Sequence, residues 1–179
     1  LLARIASDSP INLVNNILLL TGVTQASFGT GISYSGITGA TLFGHGFYLD
    51  ALNGRRIMWV GDSSNIVIED VTLKNGLVSS RHGAAIFVCS SVVTLNSVTL
   101  ETNNCYSCNG GAVYVSTGAS PTGSLITQNC IFQNNEAHST GYGGAVYLLA
   151  GTSLNMTSTN VTLNTAKYDG AGIWAGTSC

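Results

Sequence analysis

The sequence has very few charged residues. Its 179 residues include 6 lysines and arginines and 8 aspartates and glutamates, so charged side chains make up 8% of the chain, against roughly a quarter in typical soluble domains. The formal net charge of -2 is too small to favour binding to nucleic acid or to an anionic membrane. Hydrophobic residues reach 45%, and this content with so little charge argues against intrinsic disorder.

Proline and long apolar runs are also scarce. The chain contains 2 prolines, and its apolar run from Ile11 to Leu20 is interrupted by Asn15 and Asn16. A run of ten residues is far too short to cross a bilayer, so we predict no membrane span. A buried first coil of a repeat structure is the better interpretation of this run.

A glycine-led phrase recurs along the second half of the chain. Its four copies start 27, 33 and 27 residues apart: Gly83–Phe87, Gly110–Tyr114, Gly143–Tyr147 and Gly170–Trp174. A period of roughly 20 to 50 residues is typical of repeat architectures, in which each unit contacts mainly its neighbours.

A second phrase precedes each glycine phrase, and a short apolar run lies upstream of it. Its four copies are Asp70–Leu73, Ser97–Leu100, Asn129–Phe132 and Asn160–Leu163. Apolar and polar residues mostly alternate in it, which indicates strands, and no helical period lies between the phrases. Three short strands per repeat predict an all-β fold, a parallel β-helix (solenoid) of six or seven coils. We expect residues 1–179 to form a single β-helix domain, as a processed chain or as part of a longer protein.

Alignment of the repeats predicts columns of side chains along the stack. A one-residue slip would turn the apolar set to solvent, so each column should stack at one strand spacing, about 4.8 Å. One inward column consists of Ile86, Val113, Val146 and Ile173, and another of Leu73, Leu100, Phe132 and Leu163.

The residue after the first inward column is aromatic in every repeat. These residues are Phe87, Tyr114, Tyr147 and Trp174. If alternation holds, they point outward as a stripe. The stripe is either a self-stabilising ladder, covered or uncovered by the chain's own loops, or a binding surface for sugar rings or another protein.

Two features of the repeat resemble a known family. An asparagine stands three positions after an aromatic residue or a leucine. The sequence Gly-Gly-Ala-Val follows further along the same repeat. The examples are Phe132 with Asn135, Leu100 with Asn103, Gly110–Val113 and Gly143–Val146. This pattern resembles the repeat of chlamydial polymorphic outer membrane proteins, which is similar to segments of extracellular right-handed β-helix proteins of bacteria and algae.

The resemblance extends to a second group and also has exceptions. Residues 65–76 resemble the coil common to the pectate-lyase-like superfamily. The pattern departs where Leu73 is followed by Gly76, and Leu163 by Ala166, instead of Asn. The resemblance implies a right-handed parallel β-helix and leaves activity open, because this fold carries enzymes, adhesins and structural proteins.

The acidic residues do not form a catalytic pattern. Polysaccharide lyases and hydrolases need paired carboxylates, whereas the aspartates and glutamates here scatter over different coil positions. Gly44-His45-Gly46 resembles a catalytic tripeptide of polygalacturonases, but the companion motifs are absent and a turn is the simpler interpretation. We identify no catalytic residues, no metal ligands and no cofactor, and expect a protein without enzymatic activity.

The five cysteines are Cys89, Cys105, Cys108, Cys130 and Cys179. Cys105 and Cys108 have zinc-like spacing, but no second pair of ligands follows at a suitable distance. We favour a local disulfide between them. An odd count leaves at least one cysteine unpaired.

Two sequons for N-glycosylation begin at Asn155 and Asn160, and a weaker one at Asn103. Together with the low charge and the disulfide, they favour an extracellular or cell-surface location.

These observations predict an extracellular structural or adhesive module. We expect it to self-associate into a filament or surface layer, because the open strand edges of a β-helix must be capped or paired and neither terminus offers a recognisable cap. The alternative is a carbohydrate-binding or polysaccharide-cleaving β-helix, with carbohydrate as its partner.

Overall fold

The fold is built only from parallel strands. A computed structural model describes residues 3–5, 11–13, 15, 17–18, 30–118 and 122–176. Within these ranges every strand pair is parallel and no helix occurs. No segment of the described chain is therefore a helix able to cross a membrane. The run from Ile11 to Leu20 lies partly outside the described residues.

Four sheets, here called A to D, run along the stack. Sheet A consists of β1 (Ala3–Ile5), β4 (Thr30–Ser35), β7 (Arg56–Gly61), β11 (Ile86–Cys89), β15 (Val113–Ser116), β19 (Val146–Leu148) and β23 (Ile173–Ala175). Sheet B consists of β2 (Ile11–Asn12), β5 (Thr38–Phe43), β8 (Asn65–Glu69), β12 (Val92–Asn96), β16 (Ser124–Gln128) and β20 (Ser153–Thr157).

The other two sheets contain shorter strands. Sheet C consists of β3 (Ile17–Leu18), β6 (Tyr48–Asp50), β9 (Thr72–Lys74), β13 (Thr99–Glu101), β17 (Ile131–Gln133) and β21 (Asn160–Thr162). Sheet D consists of β10 (Leu77–Ser79), β14 (Asn104–Tyr106), β18 (Glu136–His138) and β22 (Thr165–Ala166).

From β7 onward the chain passes through the sheets in the order A, B, C, D and then returns to sheet A one coil higher, whereas the turn from β4 to β7 has no strand in sheet D. The described chain makes about five such turns between β4 and β23, and β1, β2 and β3 pair with the strands of the first turn. The predicted class, an all-β parallel β-helix, is confirmed. The predicted number of six or seven coils is slightly too high.

The first inward column is confirmed. Ile86 pairs with Val113, Val113 with Val146, and Val146 with Ile173. The first three side chains are fully buried. Met58 extends the column downward.

The second inward column is correct except for its last member. Leu73, Leu100 and Phe132 stack as predicted and are fully buried, but Phe132 pairs with Val161 and not with Leu163. The reason lies at the preceding corner. Ser158 has a positive φ of 48 there, and the equivalent residue one coil below is Asn129, with a φ of 53. The strand after this corner therefore begins two residues earlier than the alignment assumed.

Asparagine side chains stack inside the turn between sheets C and D. The buried members are Asn103, Asn135 and Asn164. The backbone N–H of Asn103 donates to Asn135 Oδ1 at 3.1 Å, and the N–H of Asn135 donates to Asn164 Oδ1 at 2.9 Å. Below them, the N–H of Gly76 donates to Asn103 Oδ1 at 2.8 Å. Asn164 follows Val161 by three positions, so the predicted departure at Ala166 was wrong and the last coil keeps the asparagine.

The amide nitrogens of this ladder tie successive coils together. The Nδ2 atoms of Asn103, Asn135 and Asn164 donate to the carbonyls of the preceding coil at Leu73, Leu100 and Phe132, at 3.1, 2.9 and 2.9 Å. Each side chain thus pairs with one backbone N–H and one backbone carbonyl that have no strand partner in the turn. Buried backbone polar groups without a hydrogen bond lower the stability of the fold.

Glycine is required at the corner between sheets D and A. Gly83, Gly110, Gly143 and Gly170 all have positive φ, from 66 to 71, where a side chain is strained. A Cβ atom at Gly110 would also collide with the backbone carbonyl of Val113. The glycine phrase in the sequence is therefore the mark of this corner.

We expect Asn135→Ala to lower the free energy of unfolding by about 3 kcal/mol, because it leaves the Asn103 N–H and the Leu100 carbonyl without these partners. Chemical denaturation followed by circular dichroism measures the change. Asn155→Ala removes an exposed strand asparagine and is the matched control, with an expected change under about 0.5 kcal/mol. Equal effects of the two substitutions would contradict a stabilising role for the ladder.

Candidate functional site

The four aromatic residues of the predicted stripe stack in register on sheet A. Strands β11, β15, β19 and β23 carry Phe87, Tyr114, Tyr147 and Trp174 as direct neighbours. The centroid distances from the bottom upward are 5.4, 4.9 and 4.4 Å, with interplanar angles of 10, 5 and 14 degrees. Nearly parallel rings at one strand spacing form a continuous ladder.

One residue of the corner between sheets D and A and one residue of β7 cover part of this ladder. The ring of His82 stacks on Tyr114 at 4.3 Å, and the Arg56 guanidinium lies 5.1 Å from the centroid of Phe87. Tyr114 and Tyr147 are buried, while Phe87 and Trp174 are half-buried. The accessible part of the stripe is therefore concentrated at these two rings, and its role in binding stays a prediction.

The pKa values of Tyr114 and His82, whose rings stack on each other, are both shifted. Burial, with smaller contributions from Tyr147 and Cys89, raises the pKa of Tyr114 to about 12. Burial and the nearby Arg56 charge lower the pKa of His82 below 6.5. His82 Nδ1 accepts a hydrogen bond from the backbone N–H of Asn109 at 3.0 Å, which requires the neutral ring. The neutral form of His82 is therefore favoured on Tyr114, near the Arg56 charge.

A cavity on sheet D brings together residues that the sequence analysis did not single out. Its volume is about 560 Å³, and it is lined by Glu136, His138, Ser139, Thr165, Ala166 and Lys167. Glu136 Oε1 lies 4.0 Å from His138 Nε2, and His138 Nδ1 lies 2.7 Å from Ser139 Oγ. The strand pairing β18 to β22 creates this grouping, because it places Glu136 beside Thr165.

Within the described ranges, no group of three or more His, Cys, Asp and Glu side chains is arranged to hold a metal ion. His45, from the tripeptide Gly44-His45-Gly46, lies in a turn with φ 53. It is exposed, and its Nε2 atom lies 3.1 Å from Asn12 Oδ1. These contacts are those of a turn residue.

Cys105 and Cys108 are joined by a disulfide, with 5.4 Å between their Cα atoms. Both half-cystines are buried in a small cluster with Val78 and Ala84, separate from the main core. Cys89 and Cys130 are free thiols, and burial raises the pKa of Cys130. Cys179 lies outside the described residues.

The sequon asparagines lie on the last described coil. Asn155 lies in β20 and Asn160 in β21, and both side chains are exposed. Asn160 pairs with Ile131, so it occupies a strand position and not the corner position of Asp70, Ser97 and Asn129 that the alignment gave it. Asn103, of the weaker sequon, is fully buried in the asparagine ladder and is not an acceptor in the folded protein.

A short stretch of the chain, part of one coil, is similar to a known repeat family. Residues 129–148 match the model of the Chlamydia polymorphic membrane protein (Chlamydia_PMP) repeat, which confirms the resemblance predicted from the sequence. The matched stretch contains Phe132, the ladder residue Asn135 and the corner glycine Gly143, so it spans features that fix the shape of one coil. Comparisons with curated proteins and with solved structures gave no match.

The His82 environment predicts a pH dependence of stability. The pKa of His82 is lower in the folded state than the unfolded value of 6.5, so its neutral form contributes stability that is complete above that value and is lost as the pH falls through the folded pKa. Thermal melts from about pH 7.5 to about pH 5 should therefore show a smaller decrease for His82→Gln than for the wild type. An equal decrease would contradict this role.

The exposed sequons predict a glycan. After secretion from eukaryotic cells, we expect Asn155, Asn160 or both to carry an N-linked sugar. Intact mass before and after treatment with an N-glycosidase measures it, and the double substitution Asn155→Gln with Asn160→Gln is the control. No mass shift in the wild type would contradict the prediction.

Proposed function

We propose that this chain is a structural or adhesive β-helix module of the cell surface or extracellular space, and that it associates with copies of itself. The match of residues 129–148 to a repeat named for a membrane protein supports a surface location. The disulfide supports an oxidising compartment. The open edge of the last described coil is the observation that carries self-association.

The last coil is paired on one side only among the described strands. Strands β20, β21, β22 and β23 each stand at the end of their sheet. The inward column shows the consequence, because Val146 is fully buried under β23, whereas Ile173, in β23 itself, is 37% exposed. Leu154, Met156 and Val161 are likewise only partly buried. Unpaired strand edges with exposed apolar side chains favour pairing with a further β-strand, and in this proposal a second copy of the chain supplies it.

Leu163 adds to the apolar character of this coil. It is 77% exposed and has a φ of 55. The equivalent corner residues of the lower coils are polar: Asn75, Thr102 and Asn134. A leucine in the left-handed conformation is strained, and its exposure shows that it gains little burial in return. In this proposal the second copy covers this leucine.

The chemistry of the edge favours a second copy as the partner. The exposed strands present the same backbone spacing and the same apolar columns that each coil offers its neighbour within the stack. Such a head-to-tail contact does not close on itself, so it extends into a filament or surface layer.

Sedimentation velocity tests this proposal. We expect the chain to associate at tens of micromolar and Ile173→Lys to abolish association, because a lysine on an open edge opposes pairing with another strand. Ile131→Lys is the matched control, since Ile131 is 38% exposed on a paired strand of sheet C. It should associate like the wild type.

Two results would overturn the proposal. A wild-type chain that stays monomeric at tens of micromolar would exclude self-association. Equal loss of association in both lysine variants would place the contact away from the last coil.

A further inference from the structure

The outer face of sheet D carries two columns of polar side chains. Strand pairing places Asn104 beside Glu136 and Glu136 beside Thr165 in the first column. The second column places Tyr106 beside His138, and Lys167 follows on the next coil, where its N–H donates to the Ala137 carbonyl at 2.9 Å. These columns meet at the cavity of about 560 Å³, a volume within the range of small-molecule sites.

The functional groups of the cavity suit a ligand with many hydroxyl groups. Glu136 supplies acceptor oxygens, Lys167 supplies donors, and Ser139 and Thr165 supply hydroxyls that do both. Glu136 and Lys167 carry opposite charges, so the cavity has no net formal charge when His138 is neutral. A strongly anionic or cationic ligand would gain little from this balance, whereas a neutral polyol can use every group.

An aromatic ring lies beside the cavity. Tyr106 is 44% exposed, and its ring centroid lies 4.9 Å from that of His138 with a tilt of 39 degrees. The contact with His138 restrains the phenol while leaving much of its surface open to solvent. Flat, restrained aromatic surfaces next to polar groups suit the apolar C–H face of a sugar ring.

The cavity is open and lies along the stack. Its lining residues come from two successive coils, and Tyr106 and Asn104 lie on the coil below. Polar groups therefore repeat at one strand spacing, about 4.8 Å, along the direction of the sheet. An extended chain of sugar units fits this arrangement better than a compact ligand.

We propose that the outer face of sheet D binds a neutral oligosaccharide, with Tyr106 as the stacking ring and Glu136, His138 and Lys167 as the hydrogen-bonding groups. Part of the cavity lining, residues 165 to 167, belongs to the last described coil. Tyr106 and His138 lie on the two coils below it, so sugar binding at these residues does not depend on self-association.

Ligand-observed NMR and calorimetry with the full chain test the proposal. The probes are the neutral hexasaccharides of glucose, mannose and N-acetylglucosamine, with oligogalacturonate as the acidic comparison. We expect at least one neutral probe to bind with roughly millimolar affinity. Tyr106→Ser and His138→Gln should each raise its Kd by about tenfold or more, with the wild-type circular dichroism spectrum retained.

His45→Gln is the matched control, because His45 is an exposed histidine of a lower coil and should leave the Kd unchanged. Three results would overturn the proposal: no binding of any neutral probe, binding of oligogalacturonate alone, or a Kd that neither cavity variant changes. Sedimentation of Tyr106→Ser should match the wild type, which separates failure of this site from failure of self-association.

Discussion

The structure depends on one constraint: each coil satisfies its backbone and buries its apolar side chains only against its neighbours. Strands of two to six residues cannot be stable alone, so every column of the core is shared between coils. The asparagine ladder extends the same logic to the turn between sheets C and D, where Asn103, Asn135 and Asn164 replace the hydrogen bonds that the strands no longer provide. Among the described strands, those of the last coil are paired on one side only, and their apolar side chains, such as Ile173, are therefore more exposed than those below.

Much of the fold follows from the sequence because the physical demands repeat with the coils. Gly83, Gly110 and their equivalents mark a corner that needs positive φ, and the inward column from Ile86 to Ile173 follows each of them. The error at Leu163 has an equally physical origin. A shift of two residues preserves the alternation of apolar and polar residues, so the pattern alone cannot distinguish Val161 from Leu163. The buried Asn164 was the residue that distinguishes them.

The candidate sites were predictable only in part. The aromatic ladder was visible because Phe87, Tyr114, Tyr147 and Trp174 occupy one position of the repeat. Its cover was not, because the position before the corner glycine differs in every coil: it is His82, Asn109, Tyr142 or Asp169. The cavity of sheet D was missed for a similar reason: its strands are only two or three residues long, and its polar groups converge through strand pairing between coils. The proposed sites of this chain thus lie on short strands and on the strands of the last described coil.

Hydrogen exchange followed by mass spectrometry tests the dependence of each coil on its neighbours most directly. The account predicts strong amide protection in the coils between β11 and β18 and weak protection in β20 to β23 at low protein concentration. At high concentration, protection should rise selectively in β20 to β23. Equal protection of all these strands at low concentration, or protection of the last coil that does not change with concentration, would contradict it.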